Sequence, residues 1–438
     1  MTVRMIESGR LRRALLGTTA IAVLTTSLVG TAPTAVAADA RSQQWYLDAM
    51  KAEEIWKKTT GKGITVAVID SGVDPDTPSL KGKILKGWDA AEAEGDETDD
   101  YTGHGTSIAE LIVGSGDNGG LRGLAPDAKV IPYRVSDTEL QNDQAVNAFD
   151  FEQAIMAAAD SDAQIINISW GSEYYSSSIR KAVAYAQQKG KLLFAAAGND
   201  ATKGNKDHYP ASYSEAIAVA ASDRDGSVAE YSQHGKAIDI AAPGTDIPAY
   251  CDKNLTKYCL SEGTSISTAL ASASAALIWS MHPDWTANQV LRVMLDSAAR
   301  GKGWEPGTVS NYLGHGIVRP NAHVSRGEGK PGDPNINPLT KESTGGAATG
   351  GATPSADPSG SAAAPSGAGS SAPSATTSAQ APDGKPTDGT AVAGSTENAA
   401  SAGEDGGGST GLVIGIAAAV VVVLAGAGFA LARRRRTV

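Results

Sequence analysis

One serine in this chain stands at a corner that invites chemistry. The stretch "SEGTSISTALASASAALIWSMH" (261–282) reads as a buried helix of small residues, yet it opens on Gly263-Thr264-Ser265. A hydroxyl there can be an ordinary helix cap, with glycine easing the turn before it. Three other polar residues give it a second use. Asp70 ends an apolar run in "VAVIDSGVD", His104 stands between glycines in "TGHGTSIAELIVG", and Asn199 closes another run in "FAAAGND". Each alone is a plain turn or helix-start residue. Together they hold what a serine needs to attack an acyl group. A histidine takes the hydroxyl proton, and a carboxylate fixes that histidine's tautomer. The Asn199 side-chain N–H and the Ser265 backbone N–H would face the developing oxyanion. The helix N-terminus under Ser265 also favours negative charge. Four unrelated accidents would have to fall in one workable order, Asp then His then Ser, for the bland readings to hold jointly.

Such residues must be brought together by strands and helices, and the chain alternates them. Continuous apolar runs occur at 64–70, 129–135, 163–169, 191–198, 216–222 and 237–244. Runs without polar alternation suit strands buried on both faces of a parallel sheet. The segments 150–160 and 178–190 between them read as amphipathic crossover helices. The expected fold is α/β, a mostly parallel central sheet with helices on both faces. Active groups then gather at the carboxyl edge, where Asp70 and Asn199 follow strand ends.

The motifs run in a recognisable series: "VAVIDSGV", "GHGTSIA", "GLAPDAKVIPYRV", "INISWG", "AAAGND", "YPASYSEAIAVAASD", "YSQHGKAIDIAAPG" and "EGTSIS". Residues 42–326, about two-thirds of the chain, resemble the subtilisin family of serine proteases throughout. The resemblance implies a serine endopeptidase with Asp70, His104 and Ser265 as its triad and Asn199 at the oxyanion. It also implies that Ser169, Trp170, Gly171, Ala196 and Gly198 flank a primary specificity pocket, pairing with an extended peptide. His208 falls at the pocket base, where the family often has glycine; an ordinary loop histidine is the other reading. Two departures stand out. Ala269 occupies the position four after the nucleophile where the family usually has proline, which a helix's first turn tolerates but does not require. Only 32 residues separate Ala37 from Asp70, too few for a folded pro-domain. Either no intramolecular chaperone is needed, or residues 41–56 simply pack on the body.

The ends set the topology. Residues 1–37 carry Arg10, Arg12 and Arg13, an apolar run from Ala14 to Val29 and a small-residue site at Ala35-Val36-Ala37, which reads as a secretory signal peptide. The peptidase domain is then expected over 38–326, followed by a disordered Gly/Ser/Ala/Pro-rich tether over 327–410. Residues 411–432 form 22 positions without a charge, long enough for one transmembrane helix, and 433–438 open on four arginines. Those arginines hold the C-terminus in the cytoplasm and the catalytic domain outside the cell membrane. This architecture resembles the mycosins, the membrane-anchored proteases of type VII secretion systems, and implies a secretion complex as partner besides protein or peptide substrates. A protease-like scaffold for such a complex, or a general surface protease, are the competing readings.

The formal charge is −11; the signal carries +3 and the tail +4, leaving −18 for residues 38–410. An external part this acidic argues against nucleic-acid binding. Cys251 and Cys259, in "CDKNLTKYC", are expected to form one disulfide outside the cell, and two ligands are too few for zinc. The segment 88–103 holds seven acidic residues. It reads as a solvated loop, or as a rim for basic substrates or calcium. A structural calcium is compatible with its carboxylates but follows from no motif, so no metal or cofactor is expected.

Overall fold

The computed structural model describes residues 37–344 apart from 92–93, 137–147, 302–303 and 306. The expected signal peptide, the greater part of the tether, the transmembrane helix and the basic tail lie outside the described residues. No helix among the described residues is long and apolar enough to cross a membrane.

The six apolar runs are all strands. They are β1 (Thr65–Asp70), β3 (Lys129–Arg134), β4 (Ile165–Ile168), β5 (Leu192–Ala196), β6 (Ile217–Ser222) and β7 (Ile240–Pro243); the short β2 (Trp88–Asp89) adds an edge. All pair in parallel, in the order β2-β3-β1-β4-β5-β6-β7. Sheet growth reverses beside β1: β3 lies on one side of it and β4, next in sequence, on the other. A reversal of this kind opens a crevice at the carboxyl ends, and Asp70 is the last residue of β1. A two-stranded antiparallel hairpin, β8 (Ile247–Tyr250) and β9 (Tyr258–Ser261), stands apart from the main sheet.

The helices are α1 (Ala37–Gln43), α2 (Trp45–Ala49), α3 (Ala52–Trp56), α4 (His104–Val113), α5 (Ala148–Asp160), α6 (Ser177–Gln188), α7 (Thr264–Met281), α8 (Ala287–Ser297) and α9 (Pro320–Arg326). Successive β1 side chains explain the two layers. Val66 and Val68 enter a core with α4, α7 and α8, whereas Ala67 and Ile69 enter a second core with α5 and α6. Both faces are covered, which is why the strands read as unbroken apolar runs. Helix α7 is buried from Thr264 to Trp279, and its alanines and serines let it lie close to the sheet. Its hydroxyls remain satisfied: Ser272 Oγ donates to Asn167 Oδ1 (3.0 Å), and Ser274 Oγ to the Leu270 carbonyl (2.7 Å).

The N-terminal segment packs on the body, the second of the two alternatives raised for it. Tyr46, Leu47, Met50 and Ile55 join the α7 core, and the indoles of Trp45 and Trp56 donate to the carbonyls of Thr245 and Leu124. The other end requires a correction. A tether was expected from residue 327, yet residues 327–344 lie against α8. Asn288 Nδ2 donates to the Pro334 carbonyl (2.9 Å) and to Thr344 Oγ1 (2.8 Å), Asn337 is buried, and Leu339 packs on the core. Composition misleads here because polar side chains of the body supply this Gly/Pro-rich segment with its partners.

Candidate active site

Asp70, His104, Asn199 and Ser265 meet at the carboxyl edge. Asp70 is fully buried, and its Oδ1 lies 2.6 Å from His104 Nδ1. His104 Nε2 lies 3.1 Å from Ser265 Oγ, and Ser265 keeps 8% of its surface exposed at the start of α7. This relay fixes the imidazole tautomer: Nδ1–H donates to the carboxylate, so Nε2 is free to accept the serine proton. Asn199 Oδ1 accepts from the Thr264 amide (2.8 Å) and from Thr264 Oγ1 (3.0 Å). Its Nδ2 is thereby turned away from those donors. A Cβ built on Gly263 would lie 3.6 Å from that Nδ2 and 3.1 Å from Ser265 Oγ, so the two groups border one small space.

Local packing explains how α4 presents its histidine. A Cβ on Gly105 would sit 2.1 Å from the Gly72 carbonyl and 3.1 Å from Asp70 Cβ, so only glycine lets the helix start this close to β1. Asp100, within the acidic segment, secures that start. Its Oδ1 accepts from the Gly103 amide (2.8 Å) and Ser71 Oγ (3.0 Å), and its Oδ2 from the Thr106 amide (2.8 Å) and Thr106 Oγ1 (2.6 Å). The segment is therefore not wholly a solvated loop. Asp100 is buried and caps α4, a role that an Asp-x-x-x-x-x-Thr spacing at the end of an acidic segment does not advertise. Asp89 is also committed, as it forms a bidentate pair with the buried Arg134, both contacts at 2.9 Å. Among the described residues no cluster of three or more His, Cys, Asp or Glu side chains is arranged to hold a metal ion.

Charge tunes the imidazole. Burial works against the His104 imidazolium, but the Asp70 charge and hydrogen bond, with the Asp100 charge, outweigh it and hold the histidine above its ordinary value. Asp100 is itself raised, first by burial, with the Asp70 charge adding to it.

The segments that flank the expected pocket follow β4 and β5. Ser169 Oγ accepts from Asn167 Nδ2 (3.0 Å), and the same amide's oxygen accepts from Ser272 of α7, so buried Asn167 ties the strand end to the serine's helix. Trp170 is half-buried against the second core, Gly171 is exposed, and Ala196 and Gly198 are buried. His208 lies between these segments: its Nδ1 is 3.6 Å from a Cβ built on Gly171 and 2.7 Å from one built on Gly198. The reciprocal backbone pair of Ser172 and Tyr209 holds it there. Burial pushes its pKa below the ordinary histidine value, against the charges of Asp200 and Glu173. Cys251 and Cys259 are bonded, with Cα atoms 5.7 Å apart; Cys251 directly follows β8 and Cys259 lies in β9, so the bond closes the turn over 252–257.

The chain also resembles known proteins over most of this domain. The sequence model of the subtilase family, peptidase S8, matches residues 61–316. A thermophilic serine proteinase of Bacillus sp. (strain AK1) is 36% identical over 225 residues, which span 51% of this chain and 54% of that relative. Thermitase of Thermoactinomyces vulgaris is 32% identical over 277 residues, 62% of this chain and 95% of the relative. Among solved structures, the MycP3 protease from the type VII (ESX-3) secretion system is similar with a TM-score of 0.55 and 28% identity, covering 64% of this chain and 88% of that one. A family match over more than half of the sequence, on a parallel sheet that carries a serine, a histidine and an aspartate in hydrogen-bonded series, leaves one conclusion: the chain belongs to the subtilase family and is a subtilisin-type serine endopeptidase.

Proposed function

We propose that Ser265 is the nucleophile, His104 the general base and then acid, Asp70 the group that orients the imidazole, and Asn199 the side-chain oxyanion donor. The observation that carries this is the unbroken series from Asp70 Oδ1 through His104 to Ser265 Oγ, with contacts of 2.6 and 3.1 Å. As Ser265 Oγ attacks the scissile carbonyl, its proton passes to His104 Nε2. Asn199 Nδ2–H and the Ser265 amide meet the oxygen as it gains charge. His104 then delivers the proton to the leaving amine, and water repeats the sequence on the acyl-enzyme. The substrate lies extended against Ser169, Trp170 and Gly171 on one side and Ala196 and Gly198 on the other, with its P1 side chain directed toward His208.

The enzyme works outside the cell, tethered by the uncharged run 411–432 and held in orientation by Arg433–Arg436, and it serves a type VII secretion complex. Support for the last point comes from the likeness to the MycP3 protease and from the order of signal, protease, tether and anchor. A strain carrying Ser265→Ala, set beside a full deletion, tests it. Secretion or processing defects shared by both mark a proteolytic role in secretion. Normal secretion in both strains would refute the assignment.

A further inference from the structure

Helix α4 carries a carboxylate where its pattern calls for an apolar residue. Glu110, in "SIAELIV", is fully buried, six residues after His104. Burying a carboxylate costs several kcal/mol unless partners replace water, and a leucine would avoid that cost. What Glu110 contributes is directional bonding to other elements. Ser79 Oγ donates to its Oε1, Tyr250 Oη of β8 donates to the same oxygen (3.1 Å), and Tyr258 Oη of β9 donates to its Oε2 (2.5 Å). The two tyrosine rings stack with centroids 4.4 Å apart, and their oxygens are 2.7 Å apart. The Cys251–Cys259 disulfide follows each tyrosine by one residue and cross-links the strands there. Burial pushes the Glu110 carboxyl up, against the pull of its hydroxyl donors.

The hairpin also touches the histidine's end of α4. The Tyr250 amide donates to Ser107 Oγ (2.9 Å), which in turn donates to the Gly103 carbonyl (2.7 Å). A Cβ on Gly103, the residue before His104, would lie 2.8 Å from Leu255 Cδ2 and 3.1 Å from Tyr250 Cβ. These contacts close a ring. It runs from His104 along the helix to Glu110, across to Tyr258, along β9 to Ser265, and back through the 3.1 Å contact between Ser265 Oγ and His104 Nε2. The helix arm is regular throughout, and the other arm joins β9 to α7 through only Glu262 and Gly263, so the distance at one junction constrains the distance at the other.

We infer that Glu110, Tyr250 and Tyr258 are positioning residues, a polar lock by which the disulfide hairpin sets His104 against Ser265. The inference rests on the catalytic assignment above, and it concerns the alignment of the base rather than substrate binding. An alignment error of about 1 Å can cost a hundredfold in rate.

The test uses full-length protein with a peptide substrate and a fluorophosphonate probe, from which Ser265 Oγ displaces fluoride only when His104 takes its proton. Tyr258→Phe should lower kcat and the labelling rate constant together by about tenfold, equivalent to about 1.4 kcal/mol, with KM within about twofold. Glu110→Ala should lose about a hundredfold, and Glu110→Gln, which keeps the shape and an acceptor, should recover to within about threefold of wild type. Rates are taken per folded molecule, from titration of the native fraction. Should Glu110→Ala not fold, Tyr258→Phe, which loses one oxygen atom, carries the test. Equal labelling rates across folded variants, or a loss confined to KM, would overturn the lock. Absence of labelling at Ser265 in wild type would overturn the catalytic assignment, and the lock with it.

Discussion

Replacing His208 by glycine should widen the range of residues the enzyme accepts at P1. The imidazole fills the gap between the two segments that flank the pocket, since its Nδ1 lies within 3.6 Å of a Cβ position on Gly171 and 2.7 Å of one on Gly198. Its Nε2 is buried without a hydrogen-bond partner among the described residues, so the ring acts by bulk rather than by a polar bridge. Burial also lowers its pKa, so at neutral pH it presents no charge to attract an acidic P1 side chain. Close-packed protein has no spare room beside such a ring, and wild-type enzyme should prefer Ala or Ser at P1 over Phe or Leu. His208→Gly opens space for about two more buried methylene-sized groups. At about 0.8 kcal/mol each, the gain for a large apolar P1 is about 1.6 kcal/mol, or about fifteenfold in kcat/KM. The assay compares tetrapeptide anilides that differ only at P1, Ala against Phe, in both proteins. Wild type that already favours Phe, or a glycine variant that keeps the same ranking, would refute the reasoning.

Other outcomes concern the triad, the start of α4 and the orientation of the chain. Ser265→Ala should fold normally and lose peptidase activity by orders of magnitude, because the triad acts as a unit; Asn199→Ala should lose about a hundredfold in kcat, measured on the same anilides. His104 must be neutral to act and is held above the ordinary histidine value, so kcat/KM should fall as pH drops through a midpoint above about 6.5, and Asp70→Asn should move that midpoint down while it lowers kcat by about ten-thousandfold. Gly105→Ala forces α4 off β1, since its Cβ meets the Gly72 carbonyl at 2.1 Å; calorimetry should show a loss of about 1–3 kcal/mol, with a fall in kcat at the same time. Protease shaving of intact cells should release the catalytic domain, and a domain protected until lysis would reverse the proposed orientation.

How much of this was legible in the sequence depends on the range of each interaction. A strand such as Thr65–Asp70 is buried on both faces, so its neighbours leave a local mark, an unbroken apolar run. The candidate groups at strand ends are marked too, because Gly72 follows Asp70 by two residues, Gly198 directly precedes Asn199, and glycine is visible in a sequence. The tether boundary was misplaced because composition reports what a segment can bury by itself. It is silent on hydrogen bonds offered by another element, here Asn288 to Pro334 and Thr344.

Asp100 and Glu110 show the same limit at the site itself. Asp100 is one of seven acidic residues within 88–103, and nothing local separates a carboxylate that caps a helix from six others nearby. Glu110 did carry a signal. A lone charge within "SIAELIVG", a stretch otherwise free of charge, is either exposed, which bends the apolar face toward water, or buried with donors waiting for it. The helix around it is buried at every position from Gly105 to Val113, so the first option is closed. Its donors lie 31, 140 and 148 residues away in sequence, beyond the reach of any periodicity. The two tyrosines are nonetheless spaced to find it. Tyr250 and Tyr258 are register partners on the two antiparallel strands, with their rings stacked, and each precedes a cysteine of one disulfide. A buried charge in an apolar helix, read together with a disulfide hairpin whose register pairs two tyrosine hydroxyls, is a demand and its supply, and it marks where a distant hairpin can hold the His104 helix in place.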